Sequence, residues 1–288
     1  MPPLPLIDQD SLCPPALVAT RRGGSDPDRY VAPTRDERDA IRDAITMLVK
    51  TGPPDRRAAE RAADRAGFEI VDLEELPGTV LVREVEARRR GGGAYLVRFE
   101  ARARTTAIGA PHTFFDEGTL PIAYALFQRT DAVALFINTA HRYKTSQVDR
   151  EGGHPSDVAH NAVSLFQAAT DGLVRAIPSP TIVQLHGFAR ANGATVVVSA
   201  GETRPGDPLV ARVTHALANV MTGVLRYPED SEELGATTNV QGELVRKAGG
   251  RFLHVELESN LRRAMLRDQG LRARLLDALA VALDDRAS

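Results

Sequence analysis

Hydrophobic positions along the chain fall first into a helical period and then into alternating strands and helices. Between Arg35 and Lys50, Ile41, Ile45, Leu48 and Val49 recur at helical spacing, and Arg56 to Ala66 is a second short helical run. Strands are predicted at Phe68–Leu73, Thr79–Glu84 and Ala94–Glu100, the last two joined across the Arg-Arg-Arg-Gly-Gly-Gly run of 88–93, read as a solvated hairpin tip. A strand ending at Ala110, a helix from Thr119 to Arg129 and the apolar strand Ala132–Ile137 follow. After a polar loop from His141 to Ser156, a long helix is expected to about Ala176, then strands Thr181–Leu185 and Ala194–Ser199 and a helix Pro208–Val224. A polar loop to Gly250, a strand Phe252–Leu257 and a closing helix from Leu271, with Leu275, Leu276, Leu279 and Leu283 on its stripe, complete the pattern. This alternation predicts an α/β fold with a mixed, mostly parallel sheet and helices on both faces, whose ligands bind beyond the carboxyl ends of the strands.

Residues 1–34 hold seven prolines (2, 3, 5, 14, 15, 27 and 33) and no sustained period, so they read as an extended arm before a single domain of 35–288. With 43% of the 288 residues hydrophobic, a sizeable core is expected and general disorder is excluded. Basic and acidic residues nearly cancel, 36 against 38, which leaves no overall field to attract nucleic acid. No run of about 18 uncharged apolar residues occurs, so no membrane span is expected. The chain begins without a basic stretch and long apolar segment of the secretory kind, which makes a cytoplasmic location the expectation. Cys13 is the only cysteine, so an internal disulfide and a cysteine zinc cage are both excluded. A metal here must be held by histidine and carboxylate.

Three segments just beyond strand ends carry such residues. In Ala110-Pro-His-Thr-Phe-Phe-Asp-Glu-Gly-Thr119, His112 follows a strand, Asp116 and Glu117 come four and five residues later, and Thr119 is placed to cap the next helix. In Val183-Gln-Leu-His-Gly-Phe188 an apolar strand ends on His186. Two strand-end histidines and a carboxylate form the ligand set of a zinc centre with an open position, with Asp116 able to replace Glu117 if the loop turns it inward. In the third, Phe252–Glu258, alternation puts His254, Glu256 and Glu258 on one face of a strand. Glu256 is the candidate general base, which takes a proton from the attacking water and returns it to the leaving amine; a wet edge strand explains the pattern equally well. Past another strand end, Arg142 and His141 are placed to meet the carboxylate of an acidic substrate. Asp157 and His160 read as a capping pair or as site residues alike. Ser164 and Ser199 lack the Gly-x-Ser-x-Gly elbow of a serine hydrolase.

Taken together, His112-Thr-Phe-Phe-Asp-Glu117-Gly-Thr119, Leu185-His186-Gly187-Phe188 and Glu256-Leu-Glu-Ser-Asn-Leu-Arg262 resemble, in order and spacing, the zinc-dependent poly-γ-glutamate hydrolases of phage and bacteria. More distantly they resemble the N-formylglutamate amidohydrolases and the zinc carboxypeptidase superfamily. The resemblance covers roughly residues 105–270. It implies a zinc-carboxypeptidase-like fold, Zn2+ held by His112, Glu117 and His186, Glu256 as general base and Arg262 as a substrate-binding arginine. The implied reaction is hydrolysis of an amide in a glutamyl, N-acylglutamate or peptide-like acidic substrate. Thr113 and Phe114 stand where that family has paired glycines, which reshapes the substrate side of the loop. The alternative is a catalytically inactive α/β ligand-binding protein on the same scaffold.

Overall fold

The computed structural model describes residues 12–22, 30–143, 153–189 and 193–284. The chain opens with helices α1 (Pro15–Arg22), α2 (Arg35–Thr51) and α3 (Arg56–Arg65), followed by strands β1 (Phe68–Asp72), β2 (Thr79–Glu84) and β3 (Ala94–Arg98). Then come β4 (Ala103–Ala110), α4 (Thr119–Thr130), β5 (Ala132–Ile137), α5 (Leu165–Ala176), β6 (Thr181–Phe188) and β7 (Val196–Ser199). The last third holds α6 (Pro208–Ala218), β8 (Val224–Arg226), α7 (Val240–Lys247), β9 (Arg251–Glu258), α8 (Ser259–Arg267) and α9 (Gln269–Leu283).

One sheet runs β1-β2-β3-β5-β4-β6-β9-β7-β8. It is mixed, as expected, but its strand pairings are four parallel and four antiparallel rather than mostly parallel. The central strands β5, β4, β6 and β9 pair in parallel, as do β7 and β8, while β1, β2 and β3 join β5 antiparallel and β7 meets β9 antiparallel. Side chains alternate across this sheet and build a core on each face. Val183 and Leu185 of β6 with Leu253 and Val255 of β9 pack against α4, α6, α8 and α9. Ile182 and Phe252, on the opposite face, pack with α2, α3 and α5. That second face turns polar toward the carboxyl ends, where Gln184 and His186 follow Ile182, and His254 and Glu256 follow Phe252. β4 lies between β5 and β6, so the chain reverses its direction of travel across the sheet there, and a crevice opens at such a point.

Several elements differ from expectation. The segment read as an extended arm contains α1, whose Leu17 is fully buried in the core; residues 1–11 and 23–29 lie outside the described residues. The helix expected after Ser156 begins only at Leu165, where Ser164 Oγ accepts the Gln167 N–H at 3.1 Å, which frees 156–160 to form turns. Residues 144–152 of the preceding loop lie outside the described residues. The helix from Pro208 stops at Ala218 and β8 begins at Val224, where that helix was expected to end; α7 interrupts the expected polar loop, and α8 is inserted before α9. Each of these is eight or nine residues long or shorter, too brief for periodicity to separate from a loop. The Arg-Gly run is a turn between β2 and β3 but not a solvated tip: Arg90 is largely buried, its backbone N–H donates to Glu84 Oε1 at 3.1 Å and its Nη1 to Glu37 Oε1 at 2.7 Å.

Candidate metal centre

His112 stands two residues past β4 in a tight turn. The N–H groups of Phe115 and Asp116 both donate to the His112 carbonyl, at 3.0 and 2.8 Å, and Asp116 O in turn accepts from Thr119 N and Oγ1. This helix-like turn carries Asp116 back beneath His112, as at any (i, i+4) pair, and rotates Glu117 outward. Asp116 is 2% exposed whereas Glu117 is an exposed side chain. The carboxylate at the centre is therefore Asp116, and Glu117 contributes only its carbonyl, which accepts from Arg262 Nε at 2.8 Å.

Three donor atoms converge here. His112 Nδ1 and His186 Nδ1 are 3.1 Å apart, and Asp116 Oδ2 lies 3.4 Å from the first and 3.7 Å from the second. The opposite edge of each ring is already engaged. His112 Nε2 is 2.9 Å from Asp157 Oδ1, and since a carboxylate only accepts, the proton sits on Nε2 and Nδ1 is bare. His186 Nε2 is 3.3 Å from Gln184 Oε1, which assigns its proton to Nε2 in the same way. Burial, and then the charges of its neighbours His254 and His112, hold the His186 imidazolium well below its ordinary range. Two ring nitrogens and a carboxylate oxygen thus converge; His112 Nδ1 is also within reach of the Arg142 guanidinium, whereas Asp116 Oδ2 has no hydrogen-bond partner. A buried arrangement of this kind is costly without a cation. A tetrahedral ion with ligands at about 2.0–2.1 Å spaces its donors by about 3.3 Å, which the three observed separations bracket.

Asp157 orders the surroundings. Burial pushes its carboxyl up, but hydrogen bonds from His112 and His160 and the charge of Arg142 outweigh that and hold it well below the usual carboxylate range. Arg142 donates to Asp157 Oδ2 through Nε and Nη2, at 3.2 and 2.5 Å, and its Nη1 is 3.1 Å from His112 Nδ1. Arg142 therefore reaches the centre. His141 stands farther out, its Nδ1 accepting the Tyr143 N–H at 3.1 Å and its ring edge-on to Phe115 at 5.8 Å.

Glu256 is opposite His186 in the β6–β9 register. Its carboxyl is pushed up to about 8, mostly by burial and further by the charge of Asp116, and Oε2 has no hydrogen-bond partner. The neighbouring acid Glu258 is spent otherwise, accepting the N–H groups of Asn260 and Leu261 as the cap of α8. His254 lies diagonally from His186, ring centroids 4.4 Å apart, with Nε2 3.5 Å from Glu256 Oε1; burial pushes its imidazolium down to about 3. The Arg262 guanidinium is near enough for its charge to act on Glu256, but its hydrogen bonds go to backbone: it donates to the carbonyls of Glu117 and Leu257 and lies where a side chain on Gly187 would stand, bracing the His112 turn against β6 and β9. Ser199 Oγ donates to the Gly235 carbonyl at 2.6 Å, and Ser164 is the cap of α5, so neither serine is placed as a nucleophile. The residues missed from sequence are the amides Gln184, Asn239 and Gln241 behind His186. Only Gln184 had a signal, since it shares the polar face of its strand with His186.

No protein-family model matches this chain, and no curated protein does. Among solved structures it is similar to a metallo-carboxypeptidase from Burkholderia cenocepacia, at 17% identity and TM-score 0.46 over 81% of this chain and 69% of that one. It is also similar to a bacteriophage poly-gamma-glutamate hydrolase, at 16% identity and TM-score 0.44 over 68% and 91% of the two chains. A third is the N-formylglutamate amidohydrolase of Ralstonia eutropha JMP134, at 13% identity and TM-score 0.39 over 65% and 94%. A poly-gamma-glutamate hydrolase and an N-formylglutamate amidohydrolase, two of the kinds named in the sequence resemblance, are thus among the structures this chain is similar to.

Proposed function

We propose that this chain is a zinc-dependent amidohydrolase, with His112, Asp116 and His186 as metal ligands and Glu256 as general base. One observation carries the reading: two bare Nδ1 atoms and an unpartnered carboxylate oxygen meet at tetrahedral spacing in a buried site. Zinc bound there would supply an electrophile that polarises a carbonyl and acidifies a water. The chain's own residues do the rest. Asp157 holds the His112 ring by its Nε2–H, the carboxylate–histidine pairing that keeps a ligand oriented. Glu256, raised by burial toward neutral pH, can take a proton from water and pass it to a leaving amine, since an acid and base of that strength exchanges protons readily near pH 7. Arg142, fixed on Asp157, is available to bind an acidic group of a glutamyl, N-acylglutamate or peptide-like substrate. His141 is a more distant part of the same mouth.

Glu256→Gln tests the roles together: hydrolysis of an N-acylglutamate or γ-glutamyl substrate should vanish while zinc stays bound. Loss of zinc with the activity would make Glu256 a ligand and end this assignment. The second reading, a metal-free ligand-binding protein, is favoured by one observation, the Arg142 guanidinium beside His112 Nδ1. On that reading purified protein takes up no zinc.

A further inference from the structure

Behind His186 lies a chain of buried amides whose orientation is fixed at both ends by the backbone. Gln241 Nε2 donates to the Val158 carbonyl and to Gln167 Oε1, both at 2.8 Å, and Gln167 Nε2 donates to the Val240 carbonyl at 3.3 Å. A carbonyl only accepts, so the nitrogen of Gln241 must face Val158 and its oxygen must face Gln184, whose Nε2 donates to it at 3.1 Å. At the other end the Gly242 N–H donates to Asn239 Oδ1 at 2.9 Å, which turns Asn239 Nδ2 toward Gln184 Oε1 at 2.8 Å. Gln184 is thereby fixed twice, and its oxygen is the acceptor for His186 Nε2–H. Gln184 and Gln241 are fully buried and Asn239 is 2% exposed, so water cannot rearrange the set. The residue before Val158 is Asp157, which fixes the proton on His112. Two adjacent residues therefore act on the two histidines, one directly and one through two glutamines.

We propose that Asp157 and Val158 jointly set the tautomers of His112 and His186, with Gln184, Gln241 and Asn239 as positioning residues that keep His186 Nδ1 bare. The effect on zinc affinity rests on the function proposed above; the tautomers do not, and are read without metal.

The test is a long-range 1H–15N spectrum of uniformly 15N-labelled, metal-free protein at neutral pH, followed by zinc titration of the same samples. The parent should show the Nε2–H form alone for both histidines. Gln184→Met keeps the volume and removes the acceptor, so His186 should lose its single tautomer while His112 keeps its own, and zinc should bind about 10- to 100-fold more weakly. Gln184→Glu keeps the acceptor: protonated on the oxygen facing Gln241 Oε1, it reproduces the amide pattern, and both the tautomer and zinc affinity should be retained. A merely structural role predicts the reverse, because a buried acid disturbs packing more than methionine does. Gln241→Met, which cuts the relay one step away, should give a smaller change of the same sign and serves if Gln184→Met does not fold. An Nδ1–H form of His186 in the parent, or equal zinc affinity in Gln184→Met and Gln184→Glu, overturns the proposal. A parent with the expected tautomers that takes up no zinc ends the metal assignment and leaves this one standing.

Discussion

Glu84 at the end of β2 and Asp116 after β4 are buried to nearly the same degree, 4% and 2% exposed, yet their surroundings are opposite. Burial raises the Glu84 carboxyl, and the turn answers with backbone N–H groups from Gly92, Arg90 and Gly91 and with the charge of Arg90. Gly91 and Gly93 take positive φ there, and a Cβ on Gly92 would meet Glu84 Oε1 at 2.8 Å, so the glycine run exists to wrap that carboxylate closely. Asp116 Oδ2 has no such donor and faces two bare ring nitrogens, and Glu256 Oε2 beside it has none either. A buried acid ringed by donors is part of the scaffold; one facing further lone pairs is half of a binding site whose other half is a cation.

That contrast can be broken by mutation. The largest expected effect is on turnover: Glu256→Gln should lower kcat by about 10²- to 10⁴-fold, the range of a lost general base, with zinc content unchanged by metal analysis. Next, Asp116→Ala should weaken zinc by at least about 100-fold, more than an outer partner would, in a competition titration. In the metal-free state Asp116→Asn should unfold no more easily than the parent, while Glu84→Ala should lose about 3 kcal/mol in urea, since it strands the donors of a buried carboxylate. Equal losses for the two would erase the distinction.

A smaller effect separates the titrating groups of the metal-free protein. His186 and His254 are pushed down by burial, so the unfolded chain binds more protons below its histidine value of 6.5, and stability should rise with pH up to there. Glu256 is pushed up to about 8 from 4.5, so the folded chain holds the extra proton above 4.5 and loses that advantage as pH rises toward 8. Between 6.5 and 8 the two histidines no longer act, and Glu256 contributes a slope of at most about 1.4 kcal/mol per pH unit. Urea midpoints should fall across that window in the parent and stay level in Glu256→Gln. The smallest effect is that of Glu117→Gln, which should alter zinc affinity by less than about twofold, since outer substitutions with consequences cost 10-fold or more.

What was legible in the sequence follows the range of the forces involved. Period-two and period-3.6 patterns depend on neighbours along the chain, so β1 to β7, β9, α2 to α4 and the central parallel arrangement were readable. His112, His186 and Glu256 could be picked out for a related reason, because a polar residue at or just past the end of an apolar strand stands out; their roles belong to the proposed function. The choice of Asp116 over Glu117 was left open because one turn of backbone decides it, through the two hydrogen bonds to the His112 carbonyl. That the Arg262 guanidinium donates to the carbonyls of Glu117 and Leu257 was not legible, because those partners lie 145 and 5 residues away in sequence. The amide relay was invisible for a related reason: it joins β6 to α7 and to the turn of Val158, and only packing of the second core brings them together.

The central claim is that a divalent cation belongs between His112, Asp116 and His186. Zinc titration of the metal-free parent beside Asp116→Asn and Glu117→Gln tests it most directly. One zinc per chain in the parent and in Glu117→Gln, with binding severely weakened in Asp116→Asn, is the predicted result. No zinc in the parent, or equal binding by all three, would contradict it.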